Sequence, residues 1–273
     1  MANLHRSSKD CICTTIIITA LLSTVGCGSQ SKETHPQIGV FRDGEWYVDK
    51  NNNGSWDTQG DESFVFGVPG DHPIVGDWDG SGSDKPGVFR AGASLLDYNG
   101  NHKWDDSTTD RSYRFGQADD IVIVGDWDGS GKTKVGVFRE GTWYLDYNGN
   151  GMWDNGSLDR IYQFGLPGDI PVVGDWDGSG KIKIGVFRRG AWLLDYNANG
   201  AWDGISKDKI CNFGYPDDDP IVAVWSGSGG TGIGAFRSGN WYLDLQGKGE
   251  IPGNPNYSFG GAEDIPVVFR KIK

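Results

Sequence analysis

Four stretches of this chain place oxygen-bearing side chains at the spacing a calcium ion requires. Each reads Asp-x-Asn-x-Asn-x-x-x-Asp: Asp49, Asn51, Asn53 and Asp57; Asp97, Asn99, Asn101 and Asp105; Asp146, Asn148, Asn150 and Asp154; Asp195, Asn197, Asn199 and Asp203. Calcium takes roughly six to eight oxygen ligands, and positions one, three, five and nine of a tight loop can aim their side chains at one point. Gly54, Gly151 and Gly200 supply a turn residue at the sixth position, which His102 replaces in the second copy. A further acid (Asp61, Asp110, Asp159 or Asp208) follows each first ligand by twelve or thirteen residues and can complete the shell. The expectation is four calcium sites, with metal-free Asn/Gly turns as the alternative. The fifth copy, Asp244 to Glu250, carries Lys248 and is expected to hold none.

A second set of loops, Asp77-Trp-Asp79-Gly-Ser81, Asp126-Trp-Asp128-Gly-Ser130 and Asp175-Trp-Asp177-Gly-Ser179, begins in the same way. Their ninth residue is Lys85, Lys134 or Lys183, where a ligand acid belongs. An ammonium there can neutralise the acids in place of a metal. In the fourth copy both acids and the lysine are lost together, leaving Val224, Ser226 and Gly232, as a Lys–Asp pairing requires.

The elements that carry these loops recur with them. Phe41-Arg42, Phe89-Arg90, Phe138-Arg139, Phe187-Arg188 and Phe236-Arg237 lie 48, 49, 49 and 49 residues apart. A period of that size marks a propeller or another repeat array. Each repeat offers four strand candidates. An Ile/Pro-Val-Val-Gly-Asp-Trp run (73–78, 122–127, 171–176 and 220–225) precedes Gly-Val-Phe-Arg, then Trp-Tyr-Leu-Asp, then a run ending in Phe-Gly. The first repeat lacks strand one, and Asp264-Ile-Pro-Val-Val268 supplies it from the other end of the chain. The chain is therefore expected to be all-β, a five-bladed β-propeller of four-stranded blades. Its C-terminal strand would complete the first blade and remove the exposed edges.

The acid loops fall on one face of such a ring. On the other, Arg42, Arg90, Arg139, Arg188 and Arg237 end strand two while Asp71, Asp120, Asp169, Asp218 and Asp264 begin strand one, so five Arg–carboxylate bridges are expected. All 12 tryptophans fall on three repeat positions and are expected to pack between blades.

Composition narrows the function. Beyond residue 26 the chain has 23 basic and 36 acidic residues, a net charge of −13, which disfavours nucleic acid as a partner. Residues 1–26 read as a signal peptide: Arg6 and Lys9, then an apolar run from Ile12 to Leu22, then small residues. Residues 27–36 form a short tether, and 37–273 the propeller. Cys11 and Cys13 lie in the signal, so the only cysteine in the body is Cys211, in a slot held by Tyr113, Tyr162 and Tyr257 in other repeats. No internal disulfide can form, and a buried inert thiol is expected. There is no Gly-x-Ser-x-Gly elbow and no His-Glu-x-x-His. Nearly every acid is repeated, whereas a glycosidase needs two carboxylates in distinct environments. The unrepeated Asp217 and Asp219 are placed in a turn.

Val25-Gly26-Cys27 resembles the end of a bacterial lipobox, which implies that Cys27 becomes a lipidated first residue. The Gly-Asp-Trp-Asp-Gly-Ser-Gly and Gly-Val-Phe-Arg pattern, from about 37 to 273, resembles the FG-GAP/VCBS class of calcium-associated β-propeller repeats. That resemblance implies an extracytoplasmic protein with an adhesion or binding role, although the lysines depart from the family's Asp-rich loop. The reading is an exported, membrane-anchored lipoprotein at the cell surface or in the periplasm. It is a non-catalytic binding or scaffold module stabilised by calcium, whose partner is a surface protein or glycan. A lectin-like propeller is the alternative and a glycoside-active enzyme the least favoured class.

Overall fold

A computed structural model describes residues 36–225 and 229–270. The signal peptide, Cys27 and nearly all of the tether lie outside the described residues, as does Ser226. Twenty strands follow in order: β1 (Gln37–Arg42), β2 (Glu45–Val48), β3 (Glu62–Val65), β4 (His72–Gly76), β5 (Lys85–Arg90), β6 (Ala93–Leu96), β7 (Arg111–Arg114), β8 (Ile121–Gly125), β9 (Lys134–Arg139) and β10 (Thr142–Leu145). Then come β11 (Arg160–Gln163), β12 (Ile170–Gly174), β13 (Lys183–Arg188), β14 (Ala191–Leu194), β15 (Lys209–Asn212), β16 (Asp219–Ala223), β17 (Gly232–Arg237), β18 (Asn240–Leu243), β19 (Tyr257–Ser258) and β20 (Ile265–Phe269).

They form five four-stranded antiparallel sheets. Four are consecutive, β4–β7, β8–β11, β12–β15 and β16–β19. The remaining sheet has the order β20-β1-β2-β3, with Ile38 opposite Val268 and Phe41 opposite Ile265. The strands β20, β4, β8, β12 and β16 neighbour one another in a cycle, so they line the axis of a closed ring. The protein is a five-bladed β-propeller, as the repeat predicts. We number the blades from the one containing β1.

Two departures from the expected boundaries have local causes. Strand one stops at Gly76, Gly125 and Gly174, two residues early. The following aspartate turns its carboxylate back onto the loop, Asp77 accepting from the N–H groups of Ser81 and Gly82 at 2.9 and 2.7 Å. Asp219 belongs to β16 rather than to the turn before it.

Why strand two carries glycine is visible at Gly136. A Cβ there would lie 3.0 Å from the carbonyl oxygen of Tyr144 and 3.0 Å from a Leu145 methyl. Glycine lets the leucine of strand three and the isoleucine of strand one close over the middle strand. Strand two then turns into strand three through two residues of positive φ, such as Glu140 (49°) and Gly141 (90°). That is the backbone of a type I′ hairpin, whose twist matches the flanking strands.

The core lies between blades. Trp46, Trp143, Trp192 and Trp241 are completely buried, and Trp143 packs on Phe138 and Phe164 of its own blade and on Ile184 and Val186 of the next. Each indole N–H donates to the carbonyl that ends its blade: Phe66, Phe164, Phe213 and Phe259, at 2.7–2.9 Å. In blade 2 this position is Ser94, fully buried, and its hydroxyl finds no partner.

Candidate functional site

The three-to-four loops bring their repeated acids and amides together. The position-one acids Asp49, Asp97, Asp146 and Asp195 are buried, at most 1% exposed, and both oxygens of Asp146 face loop N–H groups. Burial raises the carboxyl pKa of all four against the pull of those hydrogen bonds. None of the four is ion-paired among the described residues. These carboxylates are held by backbone N–H groups rather than by a side-chain ion pair, so their negative charge is only partly offset.

Positions three, five and nine converge beside it. The side-chain amides of Asn51 and Asn53 reach the same oxygen of Asp57 at 2.6 and 3.1 Å, and those of Asn148 and Asn150 reach Asp154 at 2.7 and 2.5 Å. The backbone N–H of Gly60 and the Asn51 amide hold the Asp57 carboxyl below its usual range; Asn197 and Asn199 do the same for Asp203. The four side chains carry oxygens of the kind calcium takes, but here the amide nitrogens face the acid, while Asn51 Oδ1 and Asn53 Oδ1 accept the backbone N–H groups of Asn53 and Ser55 at 2.9 and 2.8 Å. A calcium ion there would need those amides turned to present their oxygens. Asp49, Asn51, Asn53 and Asp57, and the equivalent four residues in each other loop, would hold it.

The additional acid ties the loop to itself. One oxygen of Asp159 accepts the N–H of Tyr147 at 3.0 Å and the other that of Asp154 at 2.9 Å. Asp61, Asp110 and Asp208 repeat this clasp, which ties the two ends of each loop together. The fifth copy lacks this clasp: Asn256 accepts instead from the N–H of Leu243, inside strand three, at 2.7 Å. Sequence spacing cannot separate a clasp from a ligand, because both need an acid one turn past the loop.

The sixth position also serves the blade seam. A Cβ on Gly151 would lie 2.1 Å from the ring of Tyr113, and one on Gly200 would lie 2.0 Å from Tyr162, each in the preceding blade. Where His102 takes the place of glycine, its ring stacks on Phe64 at 3.8 Å instead.

In the one-to-two loops the lysines do what their position suggests. Lys85, Lys134 and Lys183 pair with Asp79, Asp128 and Asp177. Burial alone would raise the Asp128 carboxyl, but Lys134 and Ser130 outweigh it and lower it to about 2. On the opposite face all five arginines form two-pronged bridges. Arg139 Nε and Nη2 reach the two oxygens of Asp120 at 2.6 and 2.8 Å, and Arg42 reaches Asp264 across the ring closure at 2.5 and 2.7 Å. The equivalent pairs are Arg90–Asp71, Arg188–Asp169 and Arg237–Asp218.

Two seam contacts carry no signal in the repeat. Arg270 bridges to Asp84, which is nearly buried, and Thr133 and Thr231 each exchange hydrogen bonds with the aspartate of the preceding blade, Asp77 and Asp175. The thiol of Cys211, half-buried, is pushed up to about 11 by burial, which keeps it protonated and unreactive.

The tryptophans divide. Two of the three repeat positions pack as expected. The third, Trp56, Trp104, Trp153 and Trp202, is 41%, 43%, 42% and 39% exposed. Each ring stands at a blade seam: Trp153 meets Phe115 of the preceding blade edge-on at 6.1 Å, and Trp202 meets Phe164 at 6.1 Å.

Fold and seams together define a repeat-built five-bladed propeller with equivalent half-exposed indoles between its blades. A solved structure of a lectin from Agrocybe aegerita, described as recognising non-reducing terminal N-acetylglucosamine, is similar at 15% identity and a TM-score of 0.44. The match covers 80% of this chain and 61% of the lectin, so this chain spans less than two thirds of that protein. No family model matches the chain, and no curated protein matches it.

Proposed function

We propose that this protein is a non-catalytic binding module that holds carbohydrate at its blade seams, on a frame stabilised by calcium. The observation that carries this reading is the set of four equivalent half-exposed tryptophans. An indole face accepts the C–H face of a pyranose, and the polar loops beside it can reach the hydroxyls. Equivalent sites around one ring bind a repetitive polymer with avidity, which needs no deep pocket. The same symmetry speaks against catalysis, since no two carboxylates stand apart as an acid and a base. Asp219 is unrepeated, and burial followed by Asp218 raises its carboxyl, but it is a lone acid.

A glycan array probed with the full chain tests this. We expect retention of at least one polysaccharide class. A Trp153→Ala/Trp202→Ala double variant should lose roughly tenfold or more in apparent affinity as two seams drop out, while its melting temperature changes little. An array without signal, or a double variant that binds like the parent, overturns the reading.

Calcium is proposed as the structural ion of the three-to-four loops; when bound it would neutralise the buried position-one carboxylate. At a Kd of ~10⁻⁴ M, typical of extracellular modules, ~2 mM calcium contributes about 1.8 kcal/mol per site. Calorimetry should register binding that Asp146→Ala/Asp154→Ala reduces by one site and Asp126→Ala/Asp128→Ala leaves unchanged. No heat at millimolar calcium would leave the loops as self-closed turns. Export and anchoring complete the proposal. Mass spectrometry of the membrane fraction is expected to find a lipid-modified Cys27, and a mature chain starting elsewhere would refute the anchor.

A further inference from the structure

Three blades share an arginine–tyrosine contact, extended in two of them by a tryptophan, and its tyrosine is missing from blade 2. In blade 3 the ring of Tyr144 lies under the guanidinium of Arg139, 5.1 Å from its centroid, and meets Trp153 edge-on at 5.6 Å. Blade 1 holds Tyr47 in the same way, between Arg42 at 5.3 Å and Trp56 at 5.2 Å. In blade 5, Tyr242 lies under Arg237 at 4.9 Å.

Blade 2 keeps the outer two members. Arg90 is fixed by Asp71 at 2.6 and 2.7 Å, and Trp104 is the half-exposed indole of its seam. Between them stands Leu95, where the tyrosine would be. A recess of about 490 Å³ opens at this seam, walled by Val65, Val68, Val88, Leu95 and Trp104, with Arg90 at its rim. The departure extends past one residue. Val65 and Val68 occupy positions held at the other seams by Arg114 and Gln117, Gln163 and Leu166, Asn212 and Tyr215, and Ser258 and Gly261. Blade 4 also has a leucine, Leu193, but with Gln163 and Leu166 facing it across its seam in place of the two valines.

We propose that this recess binds a planar aromatic ring supplied by a ligand, in the place that Tyr47 and Tyr144 hold in their own blades. Arg90 would lie over one face of the ring, a cation–π contact whose cation is already oriented by Asp71. Trp104 would meet its edge, and the valines would cover the rest. An apolar cavity of ~150 Å³ already accepts benzene, so the recess has room for a ring and its substituent. The ring can come from a free phenol or from a tyrosine or phenylalanine side chain of a partner. The proposal shares Trp104 with the carbohydrate reading but rests on a different observation, the leucine and two valines that line this seam.

The test titrates the full chain with p-cresol, the tyrosine side chain without its backbone, and follows the methyl resonances of Val65 and Val68 by NMR. We expect saturable upfield shifts from the ring current at millimolar or lower concentration. Leu95→Tyr should fill the recess from within, weaken p-cresol at least tenfold, and melt no lower than the parent, since three blades already carry this residue. Leu193→Tyr should leave the titration unchanged. If N-acetyltyrosine N-methylamide shifts the same methyls, the source is a peptide side chain; if only p-cresol does, it is a free aryl compound. Absence of a saturable shift, or a Leu95→Tyr variant that titrates like the parent, overturns the proposal. A methyl glycoside that moves these methyls when p-cresol does not also overturns it, and leaves the carbohydrate reading intact.

Discussion

A chain ending at Asp264 is expected to aggregate or be digested under conditions where the full chain stays folded. The truncation removes β20, and with it the whole inner edge of blade 1 from Gln37 to Phe41. It exposes Ile38, Val40 and Phe41 and deletes the buried Val267 and Phe269, the latter edge-on to Trp46 at 5.9 Å. Burying two such side chains contributes roughly 3–6 kcal/mol, before the lost ladder and the Arg270–Asp84 bridge are counted. That is a large part of the ~5–15 kcal/mol that holds a domain together. The ring also loses its closure, since β4 and β16 each lose a neighbour at the axis. Limited proteolysis and a thermal melt read the result. A truncated chain that melts within a few degrees of the parent would show that β20 does not close the ring.

The second large effect is a matched pair of opposite sign. Trp143→Ser should destabilise by about 3–5 kcal/mol from the cavity alone. It also orphans the buried carbonyl of Phe164, which now accepts from the indole at 2.7 Å, at a further cost of about 1–3 kcal/mol. The reverse change, Ser94→Trp, should stabilise by about 1–2 kcal/mol. It would supply blade 2 with the indole every other blade has and remove a buried hydroxyl that finds no partner. The seam keeps its spacing there: Phe115 and Trp153 stand 6.1 Å apart, the same as Phe164 and Trp202 at the next seam. For a domain of this size 1 kcal/mol moves the melting temperature by roughly 2–4 °C, so both changes are readable by differential scanning. If Ser94→Trp melts below its parent, the seam has closed around the serine and the repeat geometry is not conserved there.

The sequence by itself determined the ring. A 49-residue period, five copies of each strand type and a C-terminal strand matching the missing first one leave one closed arrangement, and the structure has it. It determined the ion pairs as well. Charges that appear together and vanish together, as Asp126, Asp128 and Lys134 do against Val224, Ser226 and Gly232, have to be neighbours. Such facts are legible because strand alternation and loop length are local properties of the chain. What only the tertiary structure decided lies between blades. The period says that Trp143 and Trp153 are equivalent to their counterparts in other repeats, but not that one is buried and the other 42% exposed. That depends on how far adjacent sheets splay at the seam. Asp154 and Asp159 look alike as acids in a loop. One gathers side-chain amides and the other clasps backbone N–H groups, because the direction of the backbone donors sorts them. Leu95 and Ser94 read as mild substitutions in a repeat. Ser94 stands where every other blade has an indole, and Leu95 where three of the other four have a tyrosine, so their consequence appears only once the blades are packed side by side.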